Sequence, residues 1–134
     1  MKPKRKKVLC VDADATFIEN QKKALGEQDA ENCFFGFTDF WEALHFIEKQ
    51  IIANNKKLHY ILLDEKIPGR QLAAALEKLA GLKNFLKKPE IIVCTSNNSN
   101  DLRNRVMQYP FVSALLEKPI PENYIGFLIT GQAS

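Results

Sequence analysis

Seven side chains could do chemistry together: Asp12, Asp14, Asp64, Thr95, Ser96, Glu117 and Lys118. Each stands at or just beyond the end of a short apolar run, "VLCV", "YILL", "IIVC" or "VSALL". Carboxylates gathered without His or Cys suit a hard cation such as Mg2+, which takes oxygen ligands and keeps waters that an incoming phosphate can displace. A carboxylate beside such an ion can attack phosphorus and form an aspartyl phosphate. A nearby hydroxyl and a lysine would hold the phosphoryl oxygens, the lysine as a point charge. The set fits phosphoryl transfer to an aspartate, provided the fold brings the four runs to one place.

The runs "KVLCV", "HYILLD" (59–64) and "EIIVCTS" (90–96) are short, rich in β-branched residues and without alternation, the habit of strands covered on both faces in parallel sheets. "NCFFGF" (32–37) and "VSALLE" (112–117) are weaker candidates that bring the strand count to five. Helical spacing fills the gaps. It is seen over 14–28 with Phe17, Ile18 and Leu25 on one side, and over Phe40, Ala43, Leu44, Ile47 and Ile51 with Thr38 or Asp39 as cap. Leu72, Ala75, Leu76 and Leu79 repeat it, with Gly81 suited to the position after the helix end. "NNSNDLRNRVMQ" supplies a cap cluster and a fourth helix, and Pro121 can open a fifth, "PENYIGFLI", in its first turn. The resulting alternation predicts a doubly wound α/β sheet with right-handed crossovers, in which function gathers at the carboxyl ends of the strands. Asp12, Asp64, Thr95 and Lys118 then share one rim.

Composition bounds the rest. A chain of 134 residues, 46% hydrophobic and 26% charged, suits one ordinary globular domain. The net charge of +3 is small, and the basic start, "MKPKRKK", reads as a solvated terminus without a role. Cys10, Cys33 and Cys94 sit in apolar runs with no metal-ligand spacing and read as reduced core residues. "VLCV" is too short for a secretory apolar region before Asp12 and Asp14, and no segment reaches the length of a membrane span. The expectation is a soluble, cytoplasmic protein with no direct nucleic-acid or membrane contact. His45 and His59 read as ordinary polar residues, and Trp41 with His45 as a packed helix face.

Two families use the parts named above. "VDADAT" looks like the DxDxT signature of haloacid-dehalogenase-type phosphatases, which would make Asp12 a nucleophile and Asp14 its acid/base. That family needs a further acidic motif after its lysine, and here only Glu122 follows Lys118. The response-regulator receiver domain explains more of the chain. "LLDEKIPG" (62–69) resembles its phosphoacceptor signature, with Asp64 in the phosphorylated place. "VCTS" (93–96) resembles the end of its fourth strand, with Thr95 as switch hydroxyl, and "LLEKPI" (115–120) its Lys-Pro signature, with Lys118 as phosphate sensor. "VDADAT" then supplies the acidic end of strand 1. The resemblance implies a flavodoxin-like (βα)5 fold with strand order 2-1-3-4-5. It divides the chain into a basic segment 1–7, a receiver domain 8–131 and a tail 132–134.

The resemblance also implies a Mg2+ site at Asp12, Asp64 and the Lys66 backbone carbonyl, with Asp14 as a further candidate. Two positions depart from the pattern. The second acid of the usual pair is Ala13, which should weaken the metal site, and the usual switch aromatic is Leu115. The implied function is a stand-alone response regulator rather than an enzyme, capable at most of catalysing its own phosphorylation and dephosphorylation. A sensor histidine kinase or phosphotransfer protein would phosphorylate Asp64. Output would pass by protein contact through the fourth helix, fifth strand and fifth helix, where Met107, Tyr109, Tyr124 and Phe127 could anchor a partner or simply pack. The alternatives are a phosphorylation-independent pseudo-receiver, the DxDxT phosphatase using Asp12, and, furthest from the residues, an FMN site, which "DADAT" disfavours by its charge.

Overall fold

The apolar runs become five parallel strands: β1 (Val8–Val11), β2 (Phe34–Phe37), β3 (Tyr60–Asp64), β4 (Glu90–Thr95) and β5 (Val112–Glu117). They pair in the order β2-β1-β3-β4-β5. The computed structural model describes residues 5–66, 71–97 and 99–131. "IPG" of the phosphoacceptor signature therefore lies outside the described residues.

Side chains leave a strand alternately to its two faces, and here both faces are buried. Leu9, Val11, Ile61, Leu63, Ile91 and Val93 enter one core, against the helices α3 (Phe40–Phe46), α4 (Leu72–Ala80) and α5 (Asn100–Val106). Val8, Cys10, Leu62, Ile92 and Cys94 enter the other, which receives Ile18 from α1 (Ala15–Ala24) and Ile125, Leu128 and Ile129 from α6 (Tyr124–Thr130). Two covered faces explain why these strands read as continuous apolar runs. The three cysteines are free and buried, as expected.

Several boundaries differ from the sequence reading. The helix expected over 14–28 begins after Asp14 and stops at Leu25, whose extended backbone (φ −92°, ψ 156°) leads into an equally extended Gly26. A separate short helix, α2 (Glu27–Asn32), follows, so the alternation carries one extra helix and β2 starts at Phe34 rather than at Asn32. Asp39, not Thr38, caps α3 by accepting the Glu42 N–H at 3.0 Å. The helix then widens into a π-helical segment over Ile47–Ile52. Gly81 ends α4 at φ −79°, without the left-handed conformation expected of it. The fourth helix is shorter than its pattern, because Ser99 caps it by accepting the Leu102 N–H. Pro121 opens a turn closed by Tyr124 N–H to Pro121 C=O, and α6 begins only at Tyr124. Trp41 is 47% exposed and His45 is exposed, so their shared face looks outward.

Candidate phosphoacceptor site

β1, β3, β4 and β5 run parallel, so their carboxyl ends meet on one rim. The residue after β1 is Asp12, and its backbone N–H continues the ladder to Phe37 C=O. Its carboxylate accepts the Asp14 N–H on Oδ1 (2.9 Å) and the Lys118 ammonium on Oδ2. Lys118 follows β5, where its N–H bonds Thr95 C=O at 2.7 Å. Its Nζ also lies 3.3 Å from Asp64 Oδ1, at the end of β3. Three side chains far apart in sequence thus form one acid–ammonium–acid bridge, with side-chain exposures of 4% for Asp12, 19% for Lys118 and 12% for Asp64.

Electrostatics follow from that enclosure. Burial raises the Asp64 pKa and the Asp12 charge raises it further, against the pull of Lys118 and of a hydrogen bond from the Lys66 backbone. Burial alone would lower the Lys118 pKa, but its hydrogen bond and charge pairing with Asp12, then Asp64, outweigh this and hold it raised. Below the site, burial pushes the Cys94 thiol up to about 12 and raises Cys10 well above its ordinary value, so both stay protonated.

Asp14 is not drawn in. Its carboxylate caps α1, accepting the N–H groups of Thr16 at 3.0 Å and Phe17 at 3.2 Å. That leaves it exposed at the helix start, and it removes the second acid that a DxDxT mechanism needs near its nucleophile. Ala13 beside it is exposed and offers no donor. Thr95 is fully buried, with its hydroxyl donating to Glu65 and accepting the Asn97 N–H at 3.0 Å. Leu115 packs in the core, in register with Val93 of β4.

Two neighbours escaped the sequence reading. Glu65 holds the Thr95 hydroxyl, and its own N–H extends the ladder to Cys94 C=O at 2.9 Å. Its only sequence signal is that it follows Asp64. Phe17 lies under the Lys118 ammonium, 4.4 Å from nitrogen to ring centroid, where a cation–π contact helps fix the lysine. Its place three residues after the Asp14 cap puts it over the end of β1.

A two-component response regulator from Cytophaga hutchinsonii superposes with a TM-score of 0.75 at 15% identity, over 94% of this chain and 95% of that one. The chain has the receiver-domain fold. A receiver protein from Burkholderia phymatum matches it over 97% of this chain and 98% of that one (TM-score 0.69, 19% identity). A receiver domain protein from Methanospirillum hungatei covers 90% and 87% (0.68, 22%). No family model and no curated protein matches the sequence. On this receiver fold the acid–ammonium–acid bridge lies at the carboxyl edge of the central strands, where ligands of doubly wound sheets are bound.

The donor set can be tested against the Mg2+ that receiver domains generally bind. Asp12 and Asp64 already converge on one cation, the Lys118 ammonium, so a positive charge between them has two carboxylate partners. Mg2+ is commonly held by one or two carboxylates with waters and phosphate completing its octahedron, and this pair fits that sparse pattern. No third acid joins them: among the described residues no group of three or more His, Cys, Asp or Glu side chains is arranged to hold a metal. The same described residues include no helix long and apolar enough to cross a membrane.

Proposed function

We propose that residues 8–131 act as a receiver module that accepts a phosphoryl group on Asp64 and signals by protein contact. The observation carrying this reading is the convergence of Asp12, Asp64 and Lys118 at the carboxyl edge of a receiver fold, with the Thr95 hydroxyl one strand away. The donor is the phosphohistidine of a kinase or phosphotransfer protein. An Asp64 carboxylate oxygen attacks phosphorus, the P–N bond breaks, and its electron pair stays on the imidazole, which takes up a proton. Asp12, Asp64 and the Lys66 carbonyl would hold Mg2+, which when bound would supply charge to neutralise the phosphoryl oxygens. Lys118 is placed to follow the new anion, and the Thr95 hydroxyl can turn to it on leaving Glu65.

The change then reaches the surface of α5, β5 and α6, where Phe127 stands 43% exposed and available to a partner. Leu115, packed in the core, leaves this relay to the Thr95 and Lys118 contacts. A cytoplasmic setting accords with that role.

Intact-mass spectrometry after incubation with acetyl phosphate tests the reading. The expected result is a Mg2+-dependent phosphoryl adduct on wild type, absent from Asp64→Ala and reduced in Asp12→Ala. The absence of any adduct on wild type would refute it and favour a pseudo-receiver. That second reading draws on Ala13, on the commitment of Asp14 to capping, and on the Glu65 hold over Thr95.

A further inference from the structure

The edge opposite the site, where the strands begin, collects charge from segments far apart in sequence. Lys6 and Lys7 precede β1, Lys56 and Lys57 lead towards β3, and Lys87 and Lys88 lead into β4. The backbone ties these segments together: His59 and Tyr60 donate their N–H groups to Lys7 C=O, and Glu90 N–H donates to His59 C=O. At the centre, His59 Nδ1 accepts the Lys7 N–H at 3.0 Å, and its pKa is lowered first by burial and then by the charges of Lys87, Lys6, Lys57 and Lys7. Four lysines from three segments thus impose their field on one side chain.

These six lysines have no acidic partner among the described residues. Among the described residues no carboxylate lies within ion-pair distance of any of the six; the ion pairs there involve Arg5, Lys22 and Lys118. Glu90, the nearest acid along the chain, accepts instead from the Ser113 hydroxyl at 3.0 Å. The two later lysine pairs are carried on loops that turn at Asn55 (φ 53°) and Asn84 (φ 72°), left-handed positions that asparagine tolerates. The charges are therefore presented by shaped turns rather than by a free tail.

The same edge exposes apolar side chains. Leu86, between Asn84 and Lys87, is 58% exposed, and Met107 at the end of α5 is 46% exposed. Lys88 Nζ lies 5.9 Å from the Phe111 ring centroid, joining the loop of Leu86 to the turn that follows Met107. Two of the four large exposed hydrophobics among the described residues thus flank the basic edge.

We propose that this edge docks on an anionic phospholipid membrane, with Lys6, Lys57, Lys87 and Lys88 among the headgroups and Leu86 and Met107 entering beneath them. The chemistry favours lipid over nucleic acid on two counts. Lysine is a point charge suited to a diffuse headgroup field, whereas arginine is preferred for forked phosphate recognition, and Arg5 here is already paired with Asp29. The aromatic rings at the edge, Tyr60 and Phe111, are half-buried under Lys6 and Lys88 and offer no open face for base stacking. Docking by this edge leaves the Asp64 rim facing away from the membrane and open to a partner, and it holds whether or not Asp64 is phosphorylated.

Co-sedimentation of the full chain with vesicles of phosphatidylglycerol and phosphatidylethanolamine, against pure phosphatidylcholine, tests the proposal. Binding is expected only to the anionic vesicles and should fall steeply with salt. Removing one edge lysine should cost about fivefold in affinity, and Lys57→Glu with Lys87→Glu should abolish sedimentation. Leu86→Ser with Met107→Ser should weaken binding severalfold at unchanged charge. Circular dichroism should find every variant folded, since the substituted side chains are exposed. No binding to anionic vesicles, binding indifferent to Leu86 and Met107, or tighter binding to single-stranded RNA than to vesicles would each overturn it.

Discussion

Replacing Lys118 with methionine keeps most of the side-chain volume over Phe17 and removes only the charge, leaving Asp12 and Asp64 facing each other without a cation. At 3.3 Å the Lys118–Asp64 attraction alone is worth about 5 kcal/mol at an effective dielectric of about 20, before desolvation is subtracted. Breaking one side of a buried pair costs about 3–5 kcal/mol, and the partial exposure of Lys118 lowers the expected loss to about 2–4 kcal/mol at neutral pH. For a chain of this length that corresponds to a fall in Tm of roughly 6–16 °C.

The pH dependence gives the sharper test. Asp64 already has a raised pKa in the fold and Lys118 holds it down, so the variant raises it further. A carboxyl raised in the fold favours folding fully below its unfolded pKa, and that contribution disappears as pH rises through the folded value. The deficit of Lys118→Met relative to wild type should therefore be small near pH 4, grow through the range above it, and level off near neutrality. The Lys118 pKa is itself raised, so its charge is constant over that range and enters only in strong alkali. Urea melts of both proteins in EDTA, at steps from pH 4 to 8, measure the deficit. A deficit below about 1 kcal/mol at pH 7, or one equally large at pH 4, would show that the bridge is not the electrostatic unit described here.

Removal of the Glu65 carboxylate in Glu65→Ala should free the Thr95 hydroxyl for a phosphoryl group and raise the phosphorylated fraction in acetyl phosphate severalfold, read by intact mass; an unchanged fraction would mean that Glu65 does not compete for it. Ala13→Asp returns an acid beside Asp12 and should tighten Mg2+ binding by about tenfold or more in titration calorimetry, a gain of about 1–2 kcal/mol. Gly36→Ala should lower stability by about 1–3 kcal/mol, because a Cβ at Gly36 in β2 would overlap Ile18 Cγ2 of α1; a thermal melt matching wild type would mean that α1 yields without cost.

What was legible in the sequence was what depends on burial. Leu9, Leu62 and Val93 sit in strands with both faces covered, so their runs stood out, and the strand ends located Asp12, Asp64, Thr95 and Lys118 on one rim. Helix ends were less legible because they depend on single-residue backbone choices. Leu25 fits the apolar spacing of α1 yet takes the extended conformation that ends it, and Pro121 opens a turn where its type equally suits the first turn of a helix. Asp14 shows the same limit in chemical terms: a carboxylate immediately before a helix can bind a cation or cap the helix, and composition cannot choose. Here Thr16 and Phe17 take it.

Glu65 was invisible for another reason. Its significance lies in reaching a hydroxyl thirty residues away across a strand pair, and no spacing rule encodes that reach. The basic edge was split in the same way, into pairs some thirty to fifty residues apart, of which only the first, in the basic start, stood out in the sequence. Parallel topology reconciles the two cases. It sends every strand's end to one rim and every strand's beginning to the other, so that Asp12 and Asp64 converge on Lys118 while the lysines around His59 gather at the opposite edge. At the rim one ammonium pairs with both acids. At the opposite edge no acid among the described residues pairs with the six lysines, which leaves their field open to an anionic surface.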